Sequence, residues 1–270
     1  NMPNKNNNLI SEIKYENGDI YNGMIKNNKR HGKGKMIYHN GNEYYGMWKN
    51  GKKEGHGLMV WNNKDRYFGN WSKNLMNGEG AYFYANGSKY CGNWKNHKKD
   101  GKGIMEYCDE GIYDGTWKNN QKFGEGIYEW INGDKYVGTT KFDKRDGYGK
   151  MYYRNGDTFE GFWKNGMKNG KGIIIFNDGE RRAFCGYWID DLKCGKSIMF
   201  FNNGTRLLLS YEKNIKDEVG YFLDCDGKWS QVYFNNNFRK RVKRTHGLDI
   251  LYEAAFGTNC PTSKNKKRKL

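Results

Sequence analysis

Residues 40–62, NGNEYYGMWKNGKKEGHGLMVWN, are one unit of the repeat that decides the fold of this chain. The same pattern begins every 23 residues, at Asn17, Asn40, Asn63, Asn86, Asp109, Asn132 and Asn155. Three glycines recur in each unit, as Gly46, Gly55 and Gly57 do in this one. A short fixed period predicts a stacked array, in which each unit buries its apolar face against its neighbours.

Aromatic residues recur in step with the glycines. In residues 44–48 the order Tyr-x-Gly-x-Trp has a period of two, which places Tyr44, Gly46 and Trp48 on one face of a strand. The Gly-x-Gly at 55–57 begins a second alternating stretch, and the polar residues between the two stretches are typical of a hairpin turn. Each repeat is therefore predicted to be a β-hairpin of two short strands.

The recurring glycines are predicted to make room for aromatic rings. A turn centred on residues 50–52 would place Trp48 opposite Gly55, and Gly46 opposite Gly57. A backbone without side chains at these positions would let a neighbouring indole or phenol ring lie flat on the sheet.

Residues 44–51 (YYGMWKNG) and 159–166 (FEGFWKNG) resemble the MORN (membrane occupation and recognition nexus) repeat. That repeat has approximately the pattern Y-x-G-x-W-x-N-G-x-x-x-G-x-G-x-x-x-Y. The resemblance implies an all-β fold, an elongated single-layer antiparallel β-meander of stacked hairpins. It also implies a non-enzymatic scaffold or adaptor for a protein partner at a membrane skeleton or cytoskeletal structure, and it leaves phosphoinositide binding open.

The repeat pattern weakens toward the C-terminal end. We expect an N-terminal cap at 1–16, MORN repeats 1–8 at 17–202, a degenerate ninth repeat and cap at 203–237, and a basic tail at 238–270 with a short helix near 247–256. The ninth repeat either closes the stack or forms a self-association or docking surface. That surface would consist of Leu207, Leu208, Leu209, Tyr211, Tyr221 and Phe222. The family resemblance keeps a homodimer through C-terminal repeats open.

The aromatic columns predict a groove that binds a protein partner, because aromatic rings often form the centre of protein interfaces. The candidate lining residues are Tyr44, Trp48, Tyr67, Trp71, Tyr90, Trp94, Tyr113, Trp117, Tyr136, Phe159 and Trp163. The alternative is that these rings only stack on one another.

The C-terminal end is far more basic per residue than the rest of the chain, whose total net charge is +17. Residues 238–270 hold ten Lys and Arg against Asp249 and Glu253, which leaves +8. The candidate anionic-surface residues are Arg239, Lys240, Arg241, Lys243, Arg244, Lys264, Lys266, Lys267, Arg268 and Lys269. Such clusters suit an anionic membrane, nuclear import or nucleic acid, and the alternative is a solvated tail.

Basic pairs also recur at the hairpin turns and predict a basic stripe beside the aromatic groove. The pairs are Lys29/Arg30, Lys52/Lys53, Lys98/Lys99 and Lys144/Arg145. Basic residues interleaved with aromatic residues would suit nucleic acid. However, the repeat period explains the aromatic residues without any ligand, so the pattern does not favour a nucleic-acid partner.

The sequence contains no motif that indicates catalysis. Most of the histidines lie at turns or loops without a recurrent partner. The Gly-x-Gly pairs lie on predicted strands, and the cysteines lack CxxC spacing. We therefore expect no catalytic residue, no cofactor and no metal site. A role as an accessory subunit of a larger enzyme complex stays open.

The expected location is cytoplasmic, at the cytoplasmic face of a membrane or on the cytoskeleton. The basis is that the sequence shows neither a signal peptide nor an apolar run long enough to cross a bilayer.

Overall fold

The computed structural model describes the backbone of residues 9–235 and 238–244, and every regular element in these ranges is a β-strand. The helix predicted near 247–256 and the basic cluster at 264–269 lie outside the described residues. The chain divides into two compact units, Asn1–Ile131 (unit 1) and Asn132–Leu270 (unit 2).

In unit 1 each strand pairs antiparallel with the next along the chain. The strands are β1 (Leu9–Lys14), β2 (Ile20–Lys26), β3 (Lys29–Ile37), β4 (Glu43–Lys49), β5 (Lys52–Val60), β6 (Arg66–Ser72), β7 (Leu75–Phe83), β8 (Lys89–Lys95), β9 (Lys98–Tyr107), β10 (Gly111–Lys118) and β11 (Gln121–Trp130). The N-terminal segment that was expected to form a cap contributes β1, which pairs with β2.

Unit 2 repeats this antiparallel order, except that β18 pairs with both β19 and β20. Its strands are β12 (Lys135–Lys141), β13 (Lys144–Tyr152), β14 (Thr158–Lys164), β15 (Met167–Ile175), β16 (Arg181–Ile189), β17 (Leu192–Phe201), β18 (Arg206–Glu212), β19 (Ile215–Lys216), β20 (Val219–Leu223), β21 (Trp229–Asn235) and β22 (Phe238–Arg244). The predicted β-meander of consecutive hairpins is confirmed.

The hairpin turns are tighter than a turn centred on residues 50–52 would be. Lys49 pairs with Lys52, so the turn itself is Asn50-Gly51, and both of these residues have positive φ angles of 51° and 82°. An Asn-Gly turn of this kind matches the right-handed twist of the two strands. This two-residue turn gives the strands that follow it a different register from the one that a turn centred on residues 50–52 would give.

The expected pairing of Gly46 with Gly57 is confirmed, whereas the expected pairing of Trp48 with Gly55 is wrong. Trp48 pairs with Lys53 in its own hairpin and with Gly32 of the preceding one. The register shifts between Gly46 and Trp48 because β5 contains extra residues there, a β-bulge. Gly55 lies in this bulge with φ +76° and pairs with Trp71 of the next repeat.

The predicted basic tail begins as part of the sheet. Residues 238–244 form β22, whose backbone pairs with β21, so the first basic cluster lies on a strand. An irregular step near Phe234 shifts the register of this last pair.

Candidate protein-binding face

Each buried tyrosine ring lies over the glycine pair of its own hairpin. A Cβ atom added to Gly57 would come within 2.5 Å of the Tyr44 ring, and one added to Gly46 would come within 2.5 Å of both the Gly57 Cα and the Tyr44 hydroxyl. The Tyr44 hydroxyl donates a hydrogen bond of 3.0 Å to the carbonyl of Met47. The ring is thus held flat against the backbone, as the glycine pattern predicted.

The tryptophans join each repeat to the one before it. Trp71 packs edge-on against Tyr67 at 5.3 Å and against Tyr44 of the preceding repeat at 5.4 Å, measured between ring centroids. Its indole nitrogen donates to the carbonyl of Gly57 at 3.2 Å. Trp48, Trp94, Trp117 and Trp163 make the equivalent bond to the preceding repeat. Within each unit the rings form a continuous ladder, and we call this side of the sheet the ladder face.

The eleven rings predicted to line a groove are core residues of the free chain. Their exposed fractions are 5% or less: Tyr44, Trp48, Tyr67, Trp71, Tyr90, Trp94, Tyr113, Trp117, Tyr136, Phe159 and Trp163. They stack on one another, as the alternative interpretation expected, and a partner cannot contact them broadly without displacing what covers them. Their role in partner binding stays a prediction.

A column of cations covers the ladder, and the sequence interpretation missed it. The ammonium nitrogen of Lys53 lies 4.5 Å from the Trp71 centroid and 5.2 Å from that of Tyr44. Equivalent cations lie over aromatic rings in other repeats: Arg30, Lys99, Lys122, Arg145, Lys168 and Lys193. A cation over an aromatic face is attracted by the ring quadrupole. We call these seven residues the cation column.

The basic residues that were expected to form one exposed stripe therefore fall into two groups. The first member of each pair, such as Lys52, is exposed near the hairpin end, while the second, such as Lys53, turns inward over the rings. The period of two in the sequence already indicated this inward orientation, because Lys53 lies four residues before Gly57 and shares its face of the strand. In the third repeat Met76 takes this place and is buried.

The choice of arginine or lysine in the column follows the turn of the next repeat. Arg30 and Arg145 donate to the carbonyls of Gly51 and Gly166, at 2.8 and 2.7 Å, where the turn is Asn-Gly. At four places where a side chain replaces that glycine, the cation is lysine and the new side chain accepts from the lysine's backbone N–H: Lys53, Lys99, Lys168 and Lys193. Asn74 does so for Lys53 at 2.8 Å.

Burial lowers the pKa of three residues of the cation column. Desolvation, together with the charge of Arg30, lowers the pKa of Lys53 to about 8. Burial also lowers the pKa of Lys193 and of the Arg145 guanidinium. The ladder tyrosines shift the other way, because burial disfavours the phenolate and raises the pKa of Tyr21 to about 12.

A third aromatic column flanks the cations and is only half-buried, so it is open to a partner. Its members are Tyr38, Trp61, Tyr84, Tyr107, Trp130, Tyr153 and Phe176. Lys53 lies 5.6 Å from the Tyr38 centroid, and Lys168 lies 5.6 Å from that of Tyr153. In the first repeat, Tyr15, Arg30 and Met36 contribute to the wall of an open cavity of ≈ 640 Å³.

The opposite face of unit 1 carries an exposed apolar row. Tyr45, Leu58, Phe68, Ala81, Cys91 and Ile104 lie opposite one another on successive strands. Phe68 is the most exposed of the large side chains in this row, at 58%. This row is a second surface on which a partner could lie.

The candidate self-association residues lie on β18 and β20. Leu207 pairs with Phe222 and Leu208 with Tyr221. Leu208 and Leu209 are buried at 6% exposure each, while Leu207, Tyr211, Tyr221 and Phe222 are half-buried. The buried pair serves as core of the terminal strands, and self-association of this region stays a prediction.

No group of His, Cys, Asp and Glu among the described residues could hold a metal ion. Within the same part of the chain, no helix has the length and apolar character needed to span a membrane.

Stacked hairpins with a ring ladder define this molecule as a β-repeat scaffold. The sequence model of the MORN repeat matches eight consecutive segments, 21–43, 44–66, 67–89, 90–112, 113–135, 136–158, 159–181 and 184–206. The chain therefore belongs to the MORN repeat family, and the resemblance stated from the sequence is confirmed. The family repeat is a non-catalytic scaffold module.

Among solved structures, the chain is similar to two domains that were solved with bound peptides. One is the TCP domain of Drosophila melanogaster SAS-4 (dCPAP) in complex with a proline-rich motif of Ana2, at 15% identity and TM-score 0.23, covering 80% of this chain and 93% of that one. The other is the TCP10 domain of Danio rerio CPAP in complex with a STIL peptide, at 11% identity and TM-score 0.29, covering 88% and 100%. No curated protein matches the chain.

Proposed function

We propose that this protein is a non-enzymatic scaffold that holds a segment of a protein partner on its ladder face. The observation that carries the proposal is the third aromatic column, whose half-buried rings flank a line of cations above a closed ring stack. Rigid aromatic side chains bind a partner at low cost in conformational entropy.

The ladder beneath explains why this face would be rigid. Each tyrosine that covers a glycine pair is fixed by that pair, by its neighbouring rings and by a hydrogen bond to the backbone, as Tyr67 is to Asn70 at 2.9 Å. A rigid surface built from repeats suits an extended segment that contacts several repeats at once. The same holding role would serve an accessory subunit of an enzyme complex.

The test compares the two faces of unit 1. The 270-residue chain and two variants of it, Trp61→Ala on the ladder face and Phe68→Ala on the opposite face, are used to capture partners from source cells. The bound proteins are identified and quantified by mass spectrometry. We expect one set of partners that Trp61→Ala depletes at least fivefold and Phe68→Ala retains. The reverse pattern would move the binding site to the apolar row and contradict the proposal.

The cytoplasmic location, at a membrane face or on the cytoskeleton, stays a prediction, as does binding of anionic lipid through the basic residues. Imaging of the tagged chain tests the location. Flotation with vesicles that contain phosphoinositide tests the lipid, and binding that collapses at high salt would indicate an electrostatic membrane contact.

A further inference from the structure

We propose that the segment held on the ladder face is an extended acidic peptide, with a carboxylate at about every third residue that pairs with the cation column. This inference rests on the proposed function, because it names the chemistry of the partner at the same face. The occupant is thus a protein segment of defined charge pattern.

The first argument is the state of the cations in the free chain. Lys53, Lys168 and Lys193 lie over rings, and no carboxylate of the described residues lies within ion-pair distance of any of them. The contacts of the Lys53 ammonium group are aromatic faces and the Met59 sulfur at 3.9 Å. A partly buried ammonium group without a counter-ion favours an incoming anion.

The second argument is the strength that burial gives to such a pair. Coulomb attraction grows as the surroundings become less polar, and an ammonium-to-carboxylate hydrogen bond is stronger than a neutral one. The lowered pKa of Lys53, about 8, reports these surroundings. A carboxylate placed beside it would raise that pKa again, so binding at alkaline pH would take up protons.

The third argument is spacing. The column has one position in each repeat, which a cation occupies except at Met76, and a repeat contributes two strands, so neighbouring positions within a unit lie roughly 10 Å apart. An extended peptide advances about 3.3 Å per residue, so every third side chain would meet a cation. In unit 1 the order is Arg30, Lys53, the neutral Met76, Lys99 and Lys122. The matching segment would have acidic residues at positions 1, 4, 10 and 13 and an apolar residue at position 7.

A membrane surface fits the column less well than a peptide does. The inward cations lie between the ladder and the third column, as Lys53 lies beside Tyr38. A narrow chain can enter between these rings, whereas a flat bilayer would meet the exposed lysines near the hairpin ends first. Vesicles with anionic lipid therefore form a separate arm of the test.

The experiment uses the full chain and three synthetic 13-residue peptides in about 0.15 M salt, close to the physiological ionic strength. The first peptide has Glu at positions 1, 4, 10 and 13, Leu at 7 and Ser or Thr elsewhere. The second has the same composition with its Glu residues adjacent, and the third has Gln in place of Glu. Affinity is measured by titration calorimetry, and we expect the first peptide to bind at least tenfold more tightly than either of the others.

Matched variants separate the column from net charge. Lys53→Met copies the natural Met76 and should weaken binding of the first peptide at least fivefold, whereas Lys52→Met removes an equal charge from an exposed neighbour and should change it less than twofold. Near-ultraviolet circular dichroism checks that both variants keep the packing of the rings. At pH 8.5, calorimetry in buffers of different ionisation enthalpy should show proton uptake that Lys53→Met reduces.

The outcomes are distinct. Equal affinity for the spaced and adjacent peptides, or equal loss in Lys52→Met and Lys53→Met, overturns the inference. Vesicle binding that needs Lys53 while no peptide binds overturns it in favour of a lipid. Cellular partners that Trp61→Ala removes but Lys53→Met does not would leave the proposed function standing and reject the acidic peptide, whereas partners that Trp61→Ala retains reject the proposed function itself.

Discussion

The side chain that glycine lacks is what lets each ring lie on this sheet. Gly46 and Gly57 pair directly across the hairpin, and the Tyr44 ring covers both. In the eighth repeat Ser197 takes the place of the third glycine, and there the ring is Phe184, which has no hydroxyl to place. The residue type beneath each ring, glycine or serine, thus sets how closely the ring approaches the backbone.

Replacing Gly57 with alanine should destabilise the array by about 1–3 kcal/mol, the usual cost of overpacking a core. The added methyl group would come within 2.5 Å of the Tyr44 ring and displace it. Urea denaturation followed by tryptophan fluorescence measures the change. The control, His56→Ala, alters an exposed neighbour and should stay within about 0.5 kcal/mol of the wild type. A Gly57→Ala protein as stable as the control would contradict the close ring contact.

The buried Lys53 predicts a pH effect on stability. Its pKa is lowered from 10.5 to about 8, so between these values the unfolded chain binds more protons than the folded one. The contribution of Lys53 to the free energy of unfolding therefore rises with pH across this window.

Comparison with Lys53→Met isolates that contribution, because other groups also titrate in the window. The free energy of unfolding of the wild type and of Lys53→Met is measured at pH 7.5, 9 and 10. As pH rises, the wild type should become more stable relative to Lys53→Met. Lys52→Met, at an exposed site, should show a constant difference. A constant difference for Lys53→Met would mean that the amine is not desolvated.

At the scale of elements, the repeats are joined by bonds between their loops as well as by rings. The Asp65 carboxylate accepts the backbone N–H of Ala85, in the next loop, at 2.8 Å, and Asn42 does the same for Asn62 at 2.9 Å. Asp19, Asp134 and Asp157 continue this pattern. These side chains fix where one hairpin ends and the next begins.

Asp65→Ala should cost about 1–3 kcal/mol, because it leaves the Ala85 N–H and the Tyr82 hydroxyl without this acceptor. Asp65→Asn should cost less, since Asn42 already fills the equivalent place. Thermal melting of both variants measures the difference. If the alanine variant proved as stable as the asparagine variant, the loop bond would not contribute to stability.

At the scale of the whole molecule, the net charge of +17 opposes the compact state through self-repulsion. Like charges even face one another beside the turns, where Lys49 pairs with Lys52 and Lys95 with Lys98. Cross-strand pairs of like charge are destabilising. Stability should therefore depend on ionic strength.

Raising NaCl from 0.02 to 0.2 M should raise the melting temperature, because salt screens this repulsion. The double variant Lys52→Glu with Lys98→Glu changes the charge by −4, from +17 to +13. In low salt its free energy of unfolding should rise by about 0.2–1 kcal/mol per corrected pair. Its melting temperature should therefore be higher than that of the wild type and should depend less on salt. A melting temperature that falls with added salt in the wild type would contradict this account.

The sequence by itself determined the repeat, its hairpins, which residues lie on the face that carries the rings, and the pairing of Gly46 with Gly57. These features follow from periods of 23 and two, which are properties of local chain geometry. The turn residues of the Asn50-Gly51 type also lie within one hairpin, so the sequence located the turn segments, although it placed the centre of this turn one residue too wide.

Only the tertiary structure decided the register beyond the bulge, the closure of the ladder and the covering of its rings by cations. Trp48 meets Gly32 rather than Gly55 because a bulge and the neighbouring hairpin together set that register. The charge of Lys53 predicts a surface residue, yet its ammonium nitrogen lies 4.5 Å from the ring centroid of Trp71 in the following repeat. Contacts between repeats join residues that lie far apart along the chain, and their energies depend on packing in three dimensions, which a linear pattern does not contain.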